Sequence, residues 1–337
     1  METSDRLPAP PVSPHPAPGR ARARIMLAVK VLVTAGALGL TFSRLSLADL
    51  ASAVLHLSPG VVLLATLLTL VNLSVAAVRW RVLLVAHGAA RVPGLLFLAR
   101  GQLVGQFYNV FVPGNVTGDV LRAHATRDAF DGPLGSYMIV ALERIFGLAG
   151  VFTLGAAALL VWPLPGVARA EMLAAFALAS ALAIGVAPIA ARALGGRLPG
   201  RAGRWAANLP PLARPGMLVL ALALSVLTHT CVALTGHTLV HAIAPGVLLT
   251  ESLVLVPLAM IATYVPFSVA GLGVREAAFV FLFAKVGVSG ADATAASLAM
   301  MAVTMIVAGL GGLVHLLRPL RVEIAEGALA GDAQAVP

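Results

Sequence analysis

Two arginines, Arg122 and Arg275, occupy equivalent positions in two similar segments of the chain. The first segment reads FVPGNVTGDVLR from Phe111, and the second reads YVPFSVAGLGVR from Tyr264. An aromatic residue, Val, Pro, Val, Gly and Arg recur in one ungapped register at an offset of 153 residues. Because a guanidinium group can grip a phosphate or carboxylate with two parallel hydrogen bonds, we expect both arginines to bind an anionic group.

Acidic residues beside both arginines support a second interpretation. Asp119 lies shortly before Arg122, and Glu276 directly follows Arg275. The arginines would then mark the water boundary or act as structural partners of these acids. Asp119 and Glu276 are equally candidates for protonation and deprotonation during a proton-coupled cycle.

Proline and glycine precede each arginine and interrupt a helix there. Irregular backbone at membrane depth is tolerated only where protein or a water-filled cavity satisfies its N–H and C=O groups. We therefore predict two paired breaks facing a polar interior, each followed by a helix whose positive N-terminal end suits a phosphate or carboxylate. The break residues are Pro113, Gly114 and Gly118 in the first segment and Pro266, Gly271 and Gly273 in the second.

Further polar residues near the first segment are expected to join this interior. Glu143 and Arg144 lie in an apolar stretch, and a charge at the bilayer centre costs roughly 2.5–3.5 kcal/mol. Adjacent residues diverge by about 100° around a helix, so each should meet a group on another element. Asn115 and Tyr108 are expected as hydrogen-bonding neighbours of the interior, although Asn115 is equally suited to capping the following helix.

Three amide side chains share one helical face just before the first break. Gln102, Gln106 and Asn109 are spaced i, i+4 and i+7, so they can line a path for a polar headgroup. Amides in membrane helices also bond neighbouring helices, which is the alternative role. Gly101 and Gly105 on the same stretch have the small-xxx-small spacing of closely packed helices.

The elements that must position these residues are membrane helices. The 337 residues are 59% hydrophobic and 11% charged, whereas a soluble domain has about 45–50% apolar and about 25% charged residues. The sequence predicts an all-α membrane protein with six full spans and two re-entrant or broken helical hairpins at 93–113 and 249–287. The predicted spans cover about 25–43, 60–85, 134–161, 170–190, 216–243 and 293–317.

Arginines between the apolar stretches predict the orientation of the spans. Arg79, Arg81 and Arg91 place the end of the second span in the cytoplasm, and the arginines between 192 and 214 do the same for the longest loop. Both termini are then cytoplasmic in a multi-pass protein of the cell membrane. The repeat halves, about 25–161 and 170–317, would have opposite topology. A disordered tail over 1–24 and a flexible tail over 321–337 would flank the transmembrane domain over 25–320.

The same features argue against several other classes of protein. The net charge is +9, but the arginines are scattered between spans, so we expect no nucleic-acid partner. A single cysteine, Cys231, excludes a disulfide framework and a thiolate metal cluster. His237 and His241 have the spacing of half a metal site but no third ligand at a useful distance along the chain. We expect neither a metal nor another cofactor.

Three segments carry a resemblance to a known family: GQFYNVFVPGNVTGDVLRAHATRD, SYMIVALERIFGL and VPFSVAGLGVREAAFVF. They resemble the transmembrane region of the lysylphosphatidylglycerol synthase family, whose members are also described as flippase-like membrane proteins. With the span pattern, the resemblance covers about 25–320. The matching positions become candidate pathway residues: Pro113, Gly114, Gly118, Asp119, Arg122, Glu143, Arg144, Gly271, Gly273, Arg275 and Glu276.

The resemblance implies translocation of a phospholipid or a lipid-linked headgroup between leaflets. Full-length synthases of that family also carry a soluble aminoacyl-transferase domain, whereas only a short tail follows Arg321 here. We therefore expect no synthase activity from this chain by itself, and no enzymatic activity in general. Two alternatives remain open: a membrane transferase with Asp119 or Glu143 as general base, and a non-transporting partner of a cytoplasmic enzyme. The sequence predicts no particular oligomeric state.

Overall fold

The computed structural model describes residues 57–112, 116–132, 134–161, 169–181, 208–261 and 274–318. Within these ranges the chain is helical, as the sequence predicts. We number the α-helices in chain order: α1 Pro59–Ala86, α2 Leu95–Phe111, α3 Thr117–Ala125, α4 Gly135–Val161, α5 Arg169–Ala181, α6 Met217–Ile243, α7 Leu249–Ile261, α8 Val274–Phe283 and α9 Gly290–Leu317.

Four of the described helices are long and apolar enough to cross a membrane: α1, α4, α6 and α9. A helix of 28 residues, such as α1, is roughly 40 Å long, which exceeds the roughly 30 Å of a bilayer's hydrocarbon core. The chain is therefore a multi-pass membrane protein. The predicted span at 25–43 lies outside the described residues, and α5 is the described part of the span at 170–190, so the count of six stays a prediction.

Local sequence signals explain where several helices begin. Ser58 caps α1 by accepting a hydrogen bond from Val61 N, and Pro59 occupies the first turn, where its missing N–H costs nothing. Ser289 accepts from the backbone N–H of Asp292 at the start of α9. Polar caps of this kind satisfy backbone donors that the first helical turn leaves without partners.

The two long helices α1 and α6 pack against each other in antiparallel directions. At one end, the backbone N–H groups of Ala213 and Arg214, just before α6, donate to the carbonyl of Ala86 at the end of α1. At the other end, Ala65 near the start of α1 and Leu239 near the end of α6 belong to one buried cluster. Two sets of four helices, α1 to α4 and α6 to α9, share the order long, short, short, long. Their first helices, α1 and α6, run in opposite directions.

Two short helices, α2 and α7, each pack against one helix of this central pair and against a further long helix. The α2 helix contacts α9, and the α7 helix contacts α4. Neighbouring helices make equivalent contacts in the two parts of the chain. The contact of α1 with α2 corresponds to that of α6 with α7, and the contact of α3 with α4 corresponds to that of α8 with α9. Shifted by 153 residues, α1 to α4 fall on α6 to α9 within a few residues at each end.

Glycine allows the backbones of α2 and α3 to approach closely. A Cβ atom on Gly118 would lie 2.0 Å from the carbonyl oxygen of Gly105, far inside van der Waals contact. The Gly118 N–H donates to Asn109 Oδ1 at 2.8 Å. Gly118, predicted as a break residue, is the second residue of α3, so its own backbone is helical. Its sequence signal reflected close packing, since only glycine fits there.

The other predicted break residues lie outside the described residues. They are Pro113 and Gly114 in the first segment and Pro266, Gly271 and Gly273 in the second, together with the neighbouring Asn115.

Replacing Gly118 with alanine should destabilise the hairpin formed by α2 and α3. The added methyl group must push the two backbones apart, and overpacking of this kind typically costs about 1–3 kcal/mol. Thermal unfolding of the purified protein in detergent would measure the loss. Gly309→Ala in α9 is the matched control, because a Cβ there meets nothing within 4 Å. Equal stability of Gly118→Ala and wild type would contradict the close approach.

Candidate functional site

A polar cavity of ≈ 350 Å³ lies among the helices. Its wall includes Asn72 of α1, Gly147 of α4, Val232 of α6 and Thr304 of α9, and each of these residues lies near the middle of its long helix. Residues of α2, α3, α7 and α8 complete the wall. If the four long helices cross the bilayer, the cavity lies near the bilayer centre.

Two buried apolar clusters separate the cavity from the ends of the helices. One cluster contains Trp80, Leu98 and Phe146. The other contains Leu239 and Phe279 and draws on the opposite ends of α1, α4 and α6. Four charged residues of the cavity, Arg79, Asp119, Arg122 and Glu143, are buried within the helix bundle, where an isolated charge is costly.

Arg122 is at the centre of a charged network in this cavity. Its NH1 donates to Glu143 Oε2 and its NH2 to Asp119 Oδ1, both at 2.7 Å. The guanidinium carbon lies 5.1 Å from the centre of the Trp80 ring, so one face of the group is covered by an aromatic side chain. Arg122 is 5% exposed, which excludes a position at the water boundary.

Glu143 connects four helices through its two oxygens. Its Oε1 accepts from Arg79 NH2 of α1 at 3.1 Å and from Gln102 Nε2 of α2 at 3.0 Å. Its Oε2 accepts from Arg122 of α3. With 3% exposure, this carboxylate has no bulk water to solvate it and depends on these donors.

Asp119 extends the network to the other side. Its Oδ1 accepts from Arg122, and its Oδ2 accepts from Arg144 Nε of α4. Glu143 and Arg144 thus each meet a charged group on another helix, as their 100° divergence predicts. Together, Arg79, Glu143, Arg122, Asp119 and Arg144 form one continuous chain of ion pairs.

Arg275 lines the same cavity from α8 but has different surroundings. Its NH2 donates to Glu276 Oε1 at 2.6 Å, and its Nε donates to Ser297 Oγ of α9 at 2.9 Å. Its NH1 donates to the Met301 Sδ at 3.3 Å. The predicted partnership with Glu276 is present, and Arg275 is as deeply buried as Arg122.

The amide stripe of α2 serves both of its expected roles. Gln102, Gln106 and Asn109 all line the cavity. Gln102 also donates to Glu143, and Asn109 accepts from the Gly118 N–H. Tyr108, in contrast, is absent from the cavity wall, because it points from α2 towards α9 and contacts His315 Nε2 at 3.3 Å.

Several residues of the site were not anticipated from the sequence. The largest omission is Arg79, which was assigned to the cytoplasmic end of its span but is buried and donates to Glu143, Ser225 and Thr228. It lies seven residues before the end of α1. The small polar residues of α6 that face it were a usable signal, because hydroxyls inside an apolar span need partners.

The histidine pair of α6 contributes to packing between helices. The His237 and His241 rings lie 5.2 Å apart. His237 Nδ1 contacts Ser252 Oγ at 3.0 Å, and His241 Nδ1 contacts the Val247 carbonyl at 3.2 Å. Both histidines therefore connect α6 to the start of the second hairpin.

The cavity wall carries an excess of positive charge. Four arginines line it (Arg79, Arg122, Arg144 and Arg275), together with the two carboxylates of Asp119 and Glu143. Glu276 pairs with Arg275, so these four arginines and three carboxylates of the described residues have a formal net charge of +1. An anionic group entering the cavity would balance it.

Glu143→Gln should destabilise the protein strongly, because Arg79 and Arg122 would share no carboxylate. Breaking a buried ion pair by removing one partner costs about 3–5 kcal/mol. Unfolding in detergent would measure the change, with the same substitution at the exposed Glu171 of α5 as the matched control. A Glu143→Gln variant that unfolds with wild-type stability would show that the network is not a structural requirement.

The comparison with protein families agrees with this architecture. The family model described as lysylphosphatidylglycerol synthase TM region matches residues 27–312, which include every residue named above in the cavity wall. No curated protein and no solved structure matches the sequence. Since the match spans most of the chain, this protein belongs to the lysylphosphatidylglycerol synthase TM region family.

Proposed function

We propose that this protein moves a phospholipid or a lipid-linked headgroup from one leaflet to the other through the charged cavity. The observation that carries the proposal is that Arg122 and Arg275, from equivalent positions of the two similar segments, line one cavity between the middles of four long helices. A polar headgroup needs such shelter only while it crosses the hydrocarbon core. Family membership supports a lipid-related role.

The lining chemistry favours an anionic headgroup. Guanidinium groups bind phosphate through parallel hydrogen bonds, and the formal net positive charge of the described lining groups favours an anion. The acyl or prenyl tail would stay in lipid throughout, since the cavity of ≈ 350 Å³ is suited to a headgroup alone. If the substrate is anionic, the membrane potential contributes about 2.3 kcal/mol per charge per 100 mV to outward movement.

The two halves are proposed to be inverted repeats that rock against each other. The antiparallel packing of α1 and α6 supports opposite topology, because these helices are equivalent at the 153-residue offset. Each proposed half packs a short helix on a long helix of the other half, α2 on α9 and α7 on α4. This reciprocal packing supports a two-fold symmetry axis between the halves. In known transporters of this plan the substrate lies at the repeat interface, and here residues of both proposed halves line the cavity.

Catalysis by the cavity acids is disfavoured by their contacts. Both oxygens of Asp119 accept from arginines, and both oxygens of Glu143 accept from arginine or amide donors. A general base must instead reach the proton of an acceptor hydroxyl. A non-enzymatic role is therefore part of the proposal. Because arginines hold Asp119 and Glu143 in ion pairs, these acids are also poor proton carriers unless the network opens during the transport cycle.

Opposite topology can be tested with single cysteines in a Cys231→Ala background. Ala90→Cys follows α1, Gly246→Cys follows α6, and both sites are exposed. If the halves are inverted and the N-terminus is cytoplasmic, a membrane-impermeant maleimide should label Gly246→Cys in intact cells and Ala90→Cys only after permeabilisation. Wild type, whose Cys231 is buried, is the unlabelled control. Labelling of both cysteines from one side would contradict the inverted repeat.

Flipping can be measured in proteoliposomes that contain fluorescent analogues of anionic phospholipids, zwitterionic phospholipids and lipid-linked sugars. Wild type should accelerate transbilayer movement of at least one analogue. Arg122→Ala and Arg275→Ala should each reduce that rate at least tenfold, because each removes a buried positive charge from the cavity wall and charge-assisted hydrogen bonds worth about 1.5–3 kcal/mol each.

Arg214→Ala is the matched control for the flipping assay, since this arginine is exposed before α6. It should flip lipid at the wild-type rate. Size-exclusion profiles would establish that each variant is folded. Folded wild-type protein that accelerates no lipid in the panel would reject the proposed function.

A further inference from the structure

The two equivalent arginines have unequal sets of partners. Arg122 has a carboxylate on each of its terminal nitrogens and an aromatic ring over one face. Arg275 has a carboxylate on NH2 and a hydroxyl on Nε, but its NH1 donates to a thioether sulfur. A thioether is a weak acceptor, so this buried cationic N–H is poorly satisfied. Both terminal nitrogens of Arg122 thus donate to carboxylates, whereas one terminal nitrogen of Arg275 donates only to a thioether.

Resting on the flipping function proposed above, we infer that Arg275 is the residue that docks the headgroup phosphate, while Arg122 holds the helices in place. The phosphate would take over the NH1 donor of Arg275 from the sulfur of Met301. The residues of the first network would supply long-range attraction through their formal net positive charge. Arg122 and Arg275 would then have different roles, although their matching sequence positions predict the same role.

The position of Met301 suits a group that is displaced. Met301 lies on α9, lines the cavity, and is joined there by Met260 and Met300. Methionine has three rotatable bonds and adapts to irregular space, so its sulfur can leave NH1 at little cost. Displacing Glu143 from Arg122 would instead leave a buried carboxylate with one charged partner fewer, which is expensive.

Arg79 is the other candidate for a docking residue, because its Nε has no hydrogen-bond partner. That atom has less than 1 Å² of accessible surface, so a headgroup in the cavity cannot reach it without movement of the helices. The terminal nitrogens of Arg79 already donate to Glu143, Ser225 and Thr228. Arg275 NH1 is therefore the better placed donor.

The experiment is a titration of the detergent-purified full chain with two phosphate probes, inorganic phosphate and dihexanoyl phosphatidic acid, followed by thermal unfolding. Wild type should be stabilised by at least one probe. If both probes stabilise it, the site recognises phosphate alone, and if only the lipid does, the site also requires the lipid backbone. Arg275→Gln should weaken the apparent affinity about tenfold or more.

Two further variants keep the inference testable if Arg275→Gln folds poorly. Met301→Leu keeps the side-chain volume but removes the competing acceptor, so it should bind the probe at least as tightly as wild type. Arg122→Gln should unfold at a lower temperature without any probe, which a docking role alone would not cause. Weaker binding by Met301→Leu, or unchanged binding by Arg275→Gln, would overturn the assignment of NH1.

The flipping assay separates failure of this inference from failure of the proposed function. Wild type that flips lipid while Arg275→Gln binds both probes normally would reject the docking role and leave the function standing. Wild type that binds phosphate through Arg275 but flips no lipid would reject the function and leave the site standing. Wild type that flips lipid but binds neither probe would overturn phosphate docking at Arg275.

Discussion

The carboxylate of Glu143, shared between Arg79 and Arg122, is the interaction on which the rest of the arrangement depends. It lies in the first half of α4, bordered by an apolar cluster, and accepts from three other helices at once. A buried ion pair adds little net stability, but removing one partner leaves a charge that nothing else can solvate. The network therefore determines which helices must stay together for the cavity to exist.

The two sides of the cavity differ in the contacts that hold them. The first hairpin is held by ion pairs, by the contact between Gly105 and Gly118, and by the packing of α2 on α9. On the side of Arg275, the cavity wall includes Met260, Met300 and Met301, and Arg275 NH1 donates to the Met301 sulfur. This inequality supports the proposed function, because a wall whose donors are all satisfied has none left for a ligand.

Matching sequence positions need not have matching roles. The two segments share their aromatic, proline, glycine and arginine positions, yet the acid lies before the arginine in one half and after it in the other. The position equivalent to Arg144 is Ser297, which contacts Arg275 and Glu276 as a hydroxyl rather than as a charge. The two similar segments thus differ in the partners of their arginines, and the division of roles proposed for Arg122 and Arg275 follows from that difference.

From the sequence alone one can predict that the chain lies in a membrane, that it is helical, which family it resembles, and which arginines and acids line the cavity, except for Arg79. These follow from local signals: apolar stretches longer than the bilayer, proline and glycine beside arginine, and charges inside apolar segments. It also predicted that Glu143 and Arg144 would face different helices, because that depends only on helical geometry. The number of spans and the membrane orientation of each half remain predictions.

Tertiary structure alone decided which charges meet. Arg79 and Glu143 are far apart in the chain, and only the packing of α1 against α4 and α6 brings the arginine inwards from what looks like a span end. In the sequence Gly118 looks like a helix breaker, but the structure shows that the close approach of the Gly105 backbone requires a glycine there. The thioether partner of Arg275 is likewise a product of how α8 packs on α9. Pairings of this kind arise from long-range packing, which no periodicity or short motif encodes.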